Sequence, residues 1–505
     1  MNILPSPSTP PTPPPAANTP KIQEGLRYLT PLVDDGNANI QHLSDYKTDP
    51  QGKLVPNASR VLITTADRAD TINITIGADQ QLNARINGKD YKLPLNANND
   101  VHSLRIQTQG GNDRITVDKN INIEMHIDGG DGDDYIEANG RTGSVLGGKG
   151  NDYIRLGTGH MVALGGDGDD IMIAGTGNST MLGQKGNDKL YADYPAPKTN
   201  LRQVYLNGGQ GNDELYAGTG KTILNGGPGN DKHVGYRQTT FYTGAGQDTV
   251  HSYDVQDRIY AKKTDTIHKP AQVNTTHVEY NSNAGKKGLK IEGTPEFTEQ
   301  TEDYLEQLRG SPVGQKVLQE MDRLAEKNGT HVTISRSPLF EANTYSQSNS
   351  VGEIPRASRL PEHEFLPEYG HITNGVAGSK AVDGVIGFLP EHFTKAFDTS
   401  PLIAMDHETI HAIVFAEGKG IAGDKPIFDK EGKPVMFQGA QLRVKNAEYQ
   451  AVGLPTKTRP FDFDNDPSTP PTTTNTSPFT ENALREEMGI PLRDRYAEEE
   501  PPLIG

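Results

Sequence analysis

The sequence predicts a multidomain chain in which a parallel β-roll precedes an α+β domain. Three observations carry that reading. A Gly-Gly-x-Gly-x-Asp core recurs in near-complete copies between Gly129 and Asp231, the glycine periodicity stops after Tyr253, and from Pro295 apolar residues recur at helical spacing. At 505 residues the chain exceeds one ordinary domain. The reading divides it into a Pro-rich tail (1–20), a β-rich cap (21–112), the β-roll (113–254), a closing cap or linker (255–295) and the α+β domain (296–505).

The formal charge of -17 disfavours nucleic acid or anionic lipid as the main partner and suits a divalent cation. With no cysteine, disulfides and thiolate metal sites are excluded, so a zinc ion would need His, Asp, Glu or Tyr. No apolar run reaches the roughly 20 residues of a membrane span, and Met1-Asn2-Ile3-Leu4-Pro5 lacks the basic and apolar regions of a Sec signal.

Pro5 to Thr19 holds too few apolar side chains to offset its ordering entropy and is expected to be extended and disordered, as a plain tail or a non-cleaved secretion signal. In the cap, Val61–Thr64 and Ile72–Ile76 read as strands, with a turn at Asn87-Gly88.

The six copies end on Asp134, Asp152, Asp170, Asp188, Asp213 and Asp231, at spacings of 18, 18, 18, 25 and 18. Eighteen is two nonapeptides, one full coil of a parallel β-roll, and one insertion around Asp193 to Gln203 accounts for the 25. The pattern is identified as the RTX-type calcium-binding nonapeptide repeat. Its chemistry is legible without the label: glycines reach positive φ, the aspartate supplies a hard anionic oxygen, and stacked loops together offer Ca²⁺ its six to eight oxygens. Gly157-Thr158-Gly159, Gly175-Thr176-Gly177 and Gly218-Thr219-Gly220 turn the other half-coil without an aspartate, so calcium is expected along one edge only. Weaker copies ending on Asp113 and Asp248 read as fraying ends, and Lys262 to Gly293 as strands capping the last coil.

Beyond Pro295, Phe297, Tyr304, Leu305 and Leu308 suggest one helix; Ser311-Pro312 caps a second that Asn328-Gly329 stops, and His331–Ile334 reads as a strand. Ser400-Pro401 opens the helix that carries His407-Glu408-Thr409-Ile410-His411. Positions i and i+4 share a face, so His407 and His411 can grip one Zn²⁺ while Glu408 reaches a water as general base. Two residues compete as third ligand. Glu417 lies six residues after His411, but Val414 stands where that geometry needs glycine; Glu448 could approach from a separate helix.

Residues from about Phe297 to Tyr496 resemble the M91 (NleD-like) effector zinc metallopeptidases. The likeness rests on Ser311-Pro312-Val313-Gly314, His407-Glu408-Thr409-Ile410-His411-Ala412, Glu448-Tyr449-Gln450-Ala451-Val452-Gly453 and Glu481 through Arg493. It implies a zincin-like fold and zinc-dependent cleavage of a protein substrate, with His407, His411 and Glu448 as ligands and Glu408 as catalytic base. It also implies a secreted protein that uses bacterial secretion machinery, with delivery into a host cell as an option, and it transfers no substrate identity. Glu481–Met488 reads as a helix after Thr480 that ends at Gly489, with surface or packing roles favoured for Arg485, Arg493 and Tyr496 over an approach to the cleft. Asp466 to Ser477 reads as a disordered insertion in preference to a lid. Two other readings compete: a calcium-dependent adhesive or transport module with an inactive peptidase remnant, and a peptidase that processes its own chain.

Overall fold

The computed structural model describes residues 27–48, 53–99, 101–193, 202–337, 343–349, 352–353, 367, 370–381, 383–390, 400–427, 433–437, 440–441 and 443–494. The Pro-rich tail and Tyr496 lie outside the described residues.

Two sheets, of thirteen and twelve strands among the described residues, enclose one apolar core, and the chain contributes one strand to each per coil. The repeat length dictates the register. Tyr135 lies opposite Tyr153 and Ile136 opposite Ile154, each an 18-residue step, while Met181 meets Leu206 across the insertion. Identical phases therefore stack. Ile127, Val145, Ala163, Met181, Leu206, Leu224 and Phe241 form one buried column, each within about 1% of complete burial. Ile115, Ile136, Ile154, Met172, Leu190, Leu215 and then His233 form the facing one. Burial of each large apolar side chain contributes about 1.5–3 kcal/mol. His233 has burial lowering it to about 3, so it sits neutral in its apolar slot.

The cap is continuous with this solenoid. Strand Leu54–Thr64 pairs in parallel with His102–Gln107, and Thr71–Ile76 with Arg114–Val117. A hairpin, Gln81–Ile86 and Lys89–Asn96, covers the first coil, and both turn residues, Asn87 (φ 49°) and Gly88 (φ 81°), take the positive φ that a tight hairpin turn demands. At the other end, Arg258–Ala261, Thr266–His268 and Thr275–His277 extend the two sheets.

Strand Leu289–Glu292 joins a third sheet instead, in the order Leu289–Glu292, Val332–Arg336, Asp383–Phe388, Thr344–Asn349, Gly352–Glu353. Helices α1 (Pro295–Gly310) and α2 (Pro312–Asn328) intervene. Ser311 Oγ caps α2 by accepting from Gly314 N–H at 2.9 Å, and Gly329 at φ 73° ends it. Helix α3 (Pro401–Ala416) is buried along nearly its whole length, with Leu402, Ile403, Met405, Ala412 and Ile413 in one cluster with Ile334, Ile386 and Phe388 of the sheet. Helices α4 (Asn446–Val452) and α5 (Glu481–Met488) complete the domain.

The roll and this domain share a core. Leu182, Tyr205, Ile223 and Tyr242 on the outside of the roll cluster with Leu305, Leu308, Leu484 and Met488. The expectation of a disordered insertion over Asp466 to Ser477 is corrected. Phe461 and Thr472 exchange backbone hydrogen bonds of 2.7 and 2.9 Å, and the buried Gln450 amide donates to Asn475 Oδ1 at 2.8 Å. Paired polar groups order a segment that lacks apolar side chains.

Candidate functional site

Helix α3 places His407 and His411 one turn apart, both buried, with Glu408 beside them and partly exposed. Helix α4 brings Glu448 to them in its first turn. The His407 and His411 Nε2 atoms lie 3.1 Å apart, and each is 3.2 Å from Glu448 Oε2. Ligand atoms at about 2.0 Å from a tetrahedral zinc stand roughly 3.3 Å from one another, so the donor set and its spacing fit such an ion. Glu417 is elsewhere: it caps α3 and pairs with Arg323 at 3.3 Å and Lys419 at 2.9 Å.

A fourth residue completes the arrangement. Glu481, the first residue of α5 and fully buried, meets His407 Nδ1 with Oε2 at 2.9 Å. Its charge is held by Arg485 Nε at 2.6 Å and Arg493 Nη1 at 2.9 Å, and it lies at the positive end of a helix. Arg485 and Arg493 therefore act inside the domain, on Glu481. Although burial opposes the charge, His411 and His407 hold Glu448 well below the usual carboxylate range. Burial would likewise lower His407, but Glu448 and Glu481 raise it to about 10. Burial pushes Glu408 up, countered by the two imidazoles. Asp406, one residue before His407, is fully buried with neither carboxylate oxygen hydrogen-bonded, and burial followed by the nearby Glu481 charge holds it well above the ordinary range.

The spacing pattern does not single out Glu481 or Asp406. The available signal for Glu481 was the Thr480 cap followed by Glu481 and Arg485 at i,i+4, which marks a helix start but not its neighbour in space.

In the roll, the aspartates form one ladder along one edge. The backbone N–H of Asp134 donates to Asp152 Oδ1 at 2.8 Å, Asp152 to Asp170 at 2.7 Å, Asp170 to Asp188 at 2.8 Å, Asp188 to Asp213 at 2.7 Å and Asp213 to Asp231 at 2.9 Å. The pattern begins before the motif copies, with Asp70 to Asp113 at 2.6 Å and Asp113 to Asp134 at 2.7 Å, and continues through Asp231 to Asp248 at 2.9 Å. Asp113 and Asp248 are thus buried rungs and not frayed ends, because stacking on a neighbouring coil, not the glycine count, closes each loop.

From Asp113 onward one oxygen per rung is spent on that bond, and in Asp70 Oδ1 accepts from Arg68 and Asn87 instead. The other, Oδ2, has no hydrogen-bond partner in Asp70, Asp113, Asp134, Asp152, Asp170, Asp188, Asp213 and Asp231. A Cβ added at Gly129, Gly147, Gly165, Gly183, Gly208 or Gly226 would stand 2.1–2.3 Å from Oδ2 and 2.5–2.8 Å from a carbonyl of the next coil. Glycine is therefore required at each of these positions, and the buried, unpartnered Oδ2 lies beside a backbone carbonyl of the next coil, hard oxygens of the kind calcium takes. Burial, before any neighbouring charge, raises Asp170 and Asp188 to about 8, Asp231 to about 9 and Asp134 and Asp213 to about 7. At Asp248, whose own N–H donates on to Asp265 Oδ1 at 3.3 Å, Lys262 supplies the missing charge: its ammonium lies 2.7 Å from Asp248 Oδ2 and donates to Gly244 O at 2.5 Å.

Among the described residues no helix is long and apolar enough to cross a membrane. Neither the curated proteins nor the solved structures include a match to the chain. Residues 164–193 and 205–232 match the RTX calcium-binding nonapeptide repeat. Residues 285–496 match the peptidase M91 family model, described as an effector protein, and follow the matched RTX calcium-binding repeats in the order the sequence predicts.

Proposed function

We propose that this chain is a secreted zinc-dependent metalloendopeptidase of the effector or toxin type that cleaves a protein substrate, and that its calcium-stabilised roll aids export and folding. The observation that carries the reading is the convergence of His407 Nε2, His411 Nε2 and Glu448 Oε2 with Glu408 beside them.

A zinc ion held by these three residues would supply Lewis acidity toward the scissile carbonyl and a bound water whose pKa is lowered toward 7. Glu481 accepts from His407 Nδ1–H, which fixes the tautomer and leaves the Nε2 lone pair for the metal. Glu408 takes a proton from the attacking water and returns it to the leaving amine, a role suited to a carboxyl that burial has raised. In the roll, Asp134, Asp152, Asp170, Asp188, Asp213 and Asp231 bind calcium through their unpartnered Oδ2 atoms. A chain whose roll is unfolded at low calcium can be threaded through a secretion machine and then fold outside.

Proteome-wide substrate profiling of wild type beside Glu408→Gln tests the reading. New protein termini are expected with wild type alone; the same termini with both remove Glu408 from the chemistry. A chain that processes itself would give a shortened mass in wild type that Glu408→Gln lacks, and an adhesive module would give no new termini with either.

A further inference from the structure

Building on the zinc-peptidase reading, we infer that the roll is part of the peptidase's metal-holding machinery: Thr240, Tyr242 and Tyr260 position α5, α5 positions Glu481 against His407, and calcium in the roll thereby sets zinc affinity at the site.

The contact between roll and α5 is specific. Tyr242 O–H donates to Glu487 Oε1 at 2.9 Å, Thr240 Oγ1 donates to the Met488 carbonyl at 2.8 Å, and Tyr260 O–H to the Glu487 carbonyl at 3.2 Å. Glu487 in turn ties α5 to the start of α2, accepting from Ser311 Oγ at 2.6 Å and Val313 N–H at 2.7 Å. The last carbonyls of a helix have no partner within it, and here the roll supplies hydroxyls to two of them. Leu484 and Met488 bury against the same platform as Tyr242.

Helix α5 has eight residues, too few to persist in water without docking. From Glu487 to Glu481 the rise is about 9 Å of rigid helix. The roll therefore grips one end of a short element whose other end holds the ring nitrogen of a candidate zinc ligand.

The loop that follows Thr240 and Tyr242 ends on Asp248, which Lys262 neutralises, but the strand carrying them pairs with Lys221–Asn225, whose loop ends on Asp231. The buried Asp231 Oδ2 lies unpartnered beside the Thr243 carbonyl, next to Tyr242, and without a cation that carboxylate lacks counter-charge. Opening these coils removes the platform, α5 loses its docking partner, and His407 loses the group that orients it. The peptidase is then competent where calcium is abundant and silent where it is scarce, including the cytosol that makes it.

The test uses full-length, metal-free protein, with calcium removed on a resin because a soluble chelator would also take zinc. Hydrogen exchange is read over residues 203–252 and 481–488, and zinc affinity by competition with a chromophoric indicator. Calcium withdrawal is expected to strip protection from both segments and to weaken zinc binding about 10–100-fold, the usual loss when a metal-bound histidine loses its orienting partner. The triple variant Thr240→Val, Tyr242→Phe, Tyr260→Phe keeps side-chain shape and removes the three hydroxyls. In calcium it is expected to retain protection over 203–252, to lose it over 481–488 and to bind zinc at least about tenfold more weakly. Loss of protection in the roll with 481–488 and zinc affinity unchanged overturns the inference, as does a triple variant with wild-type zinc affinity. If the chain takes up no zinc even in calcium, the peptidase reading fails, and the exchange of 481–488 alone decides whether roll and α5 are coupled.

Discussion

In the roll, candidate ligand atoms come from one position of a repeat, the Oδ2 of successive aspartates, each in the same hydrogen-bonding frame. In the peptidase region they come from two helices, with His411 and Glu448 separated by 37 residues, and lean on a third. Repetition makes the ladder redundant: one rung lost leaves its neighbours closed. Convergence leaves the histidine centre with a single copy of every part. The two regions should therefore respond differently to single substitutions.

The largest single-residue effect is expected at Glu408. Glu408→Gln keeps the shape, removes the base and should lower the rate of peptide cleavage by at least about a hundredfold with zinc content unchanged. A steady-state assay on a cleaved peptide beside metal analysis checks it; a smaller loss would assign proton transfer to another group.

In the roll, withdrawal of calcium should unfold the array, whereas Asp170→Ala removes one rung and should cost about the linkage energy of one site, roughly 2.7 kcal/mol at a hundredfold excess of calcium over its dissociation constant. Thermal unfolding followed by circular dichroism at fixed calcium measures both. If Asp170→Ala abolished the roll as completely as calcium withdrawal, the ladder would not be redundant.

Acid should partly replace calcium. Burial raises Asp134 to about 7, Asp170 to about 8 and Asp231 to about 9 from an ordinary 3.8, so the folded, calcium-free roll binds more protons than the unfolded chain between those limits. Its stability is then greatest below about pH 4 and falls as pH rises toward about 9. Calcium, which needs the carboxylates ionised, should abolish this trend. Denaturant midpoints across the range, with and without calcium, check the sign; a calcium-free roll that gains stability as pH rises would contradict it.

The smallest effect is expected at Glu417, whose partners Arg323 and Lys419 are ion pairs away from the histidines. Glu417→Ala should leave zinc content and cleavage rate unchanged, and loss of zinc would reinstate it as a ligand.

What could be read without coordinates divides along the same line. The roll was legible because an 18-residue period sets strand, register and aspartate together, as Tyr135 over Tyr153 illustrates. Its ends were not. Asp70 sits in Asp67-Arg68-Ala69-Asp70, which has none of the glycines, and joins the ladder only because Asp113 stacks on it. His407 and His411 were legible as an i,i+4 pair, a local property of a helix. Glu448 needed the family likeness, because spacing left Glu417 open. Glu481 stands in the sequence only as one residue of a family-like stretch, and its neighbour in space depends on how α5 docks against α3 and the roll. The order of Asp466 to Ser477 is not legible, because composition reports apolar content but not the hydrogen bond that Gln450 and Asn475 form across the chain.

Zinc content per chain, measured on purified wild type, His407→Ala, His411→Ala and Glu448→Ala in millimolar calcium, decides whether these three residues form a metal centre. Wild type is expected to carry close to one zinc, and each of the three variants to lose most of it while keeping the circular dichroism of the roll. Full zinc occupancy in both histidine variants would contradict the account.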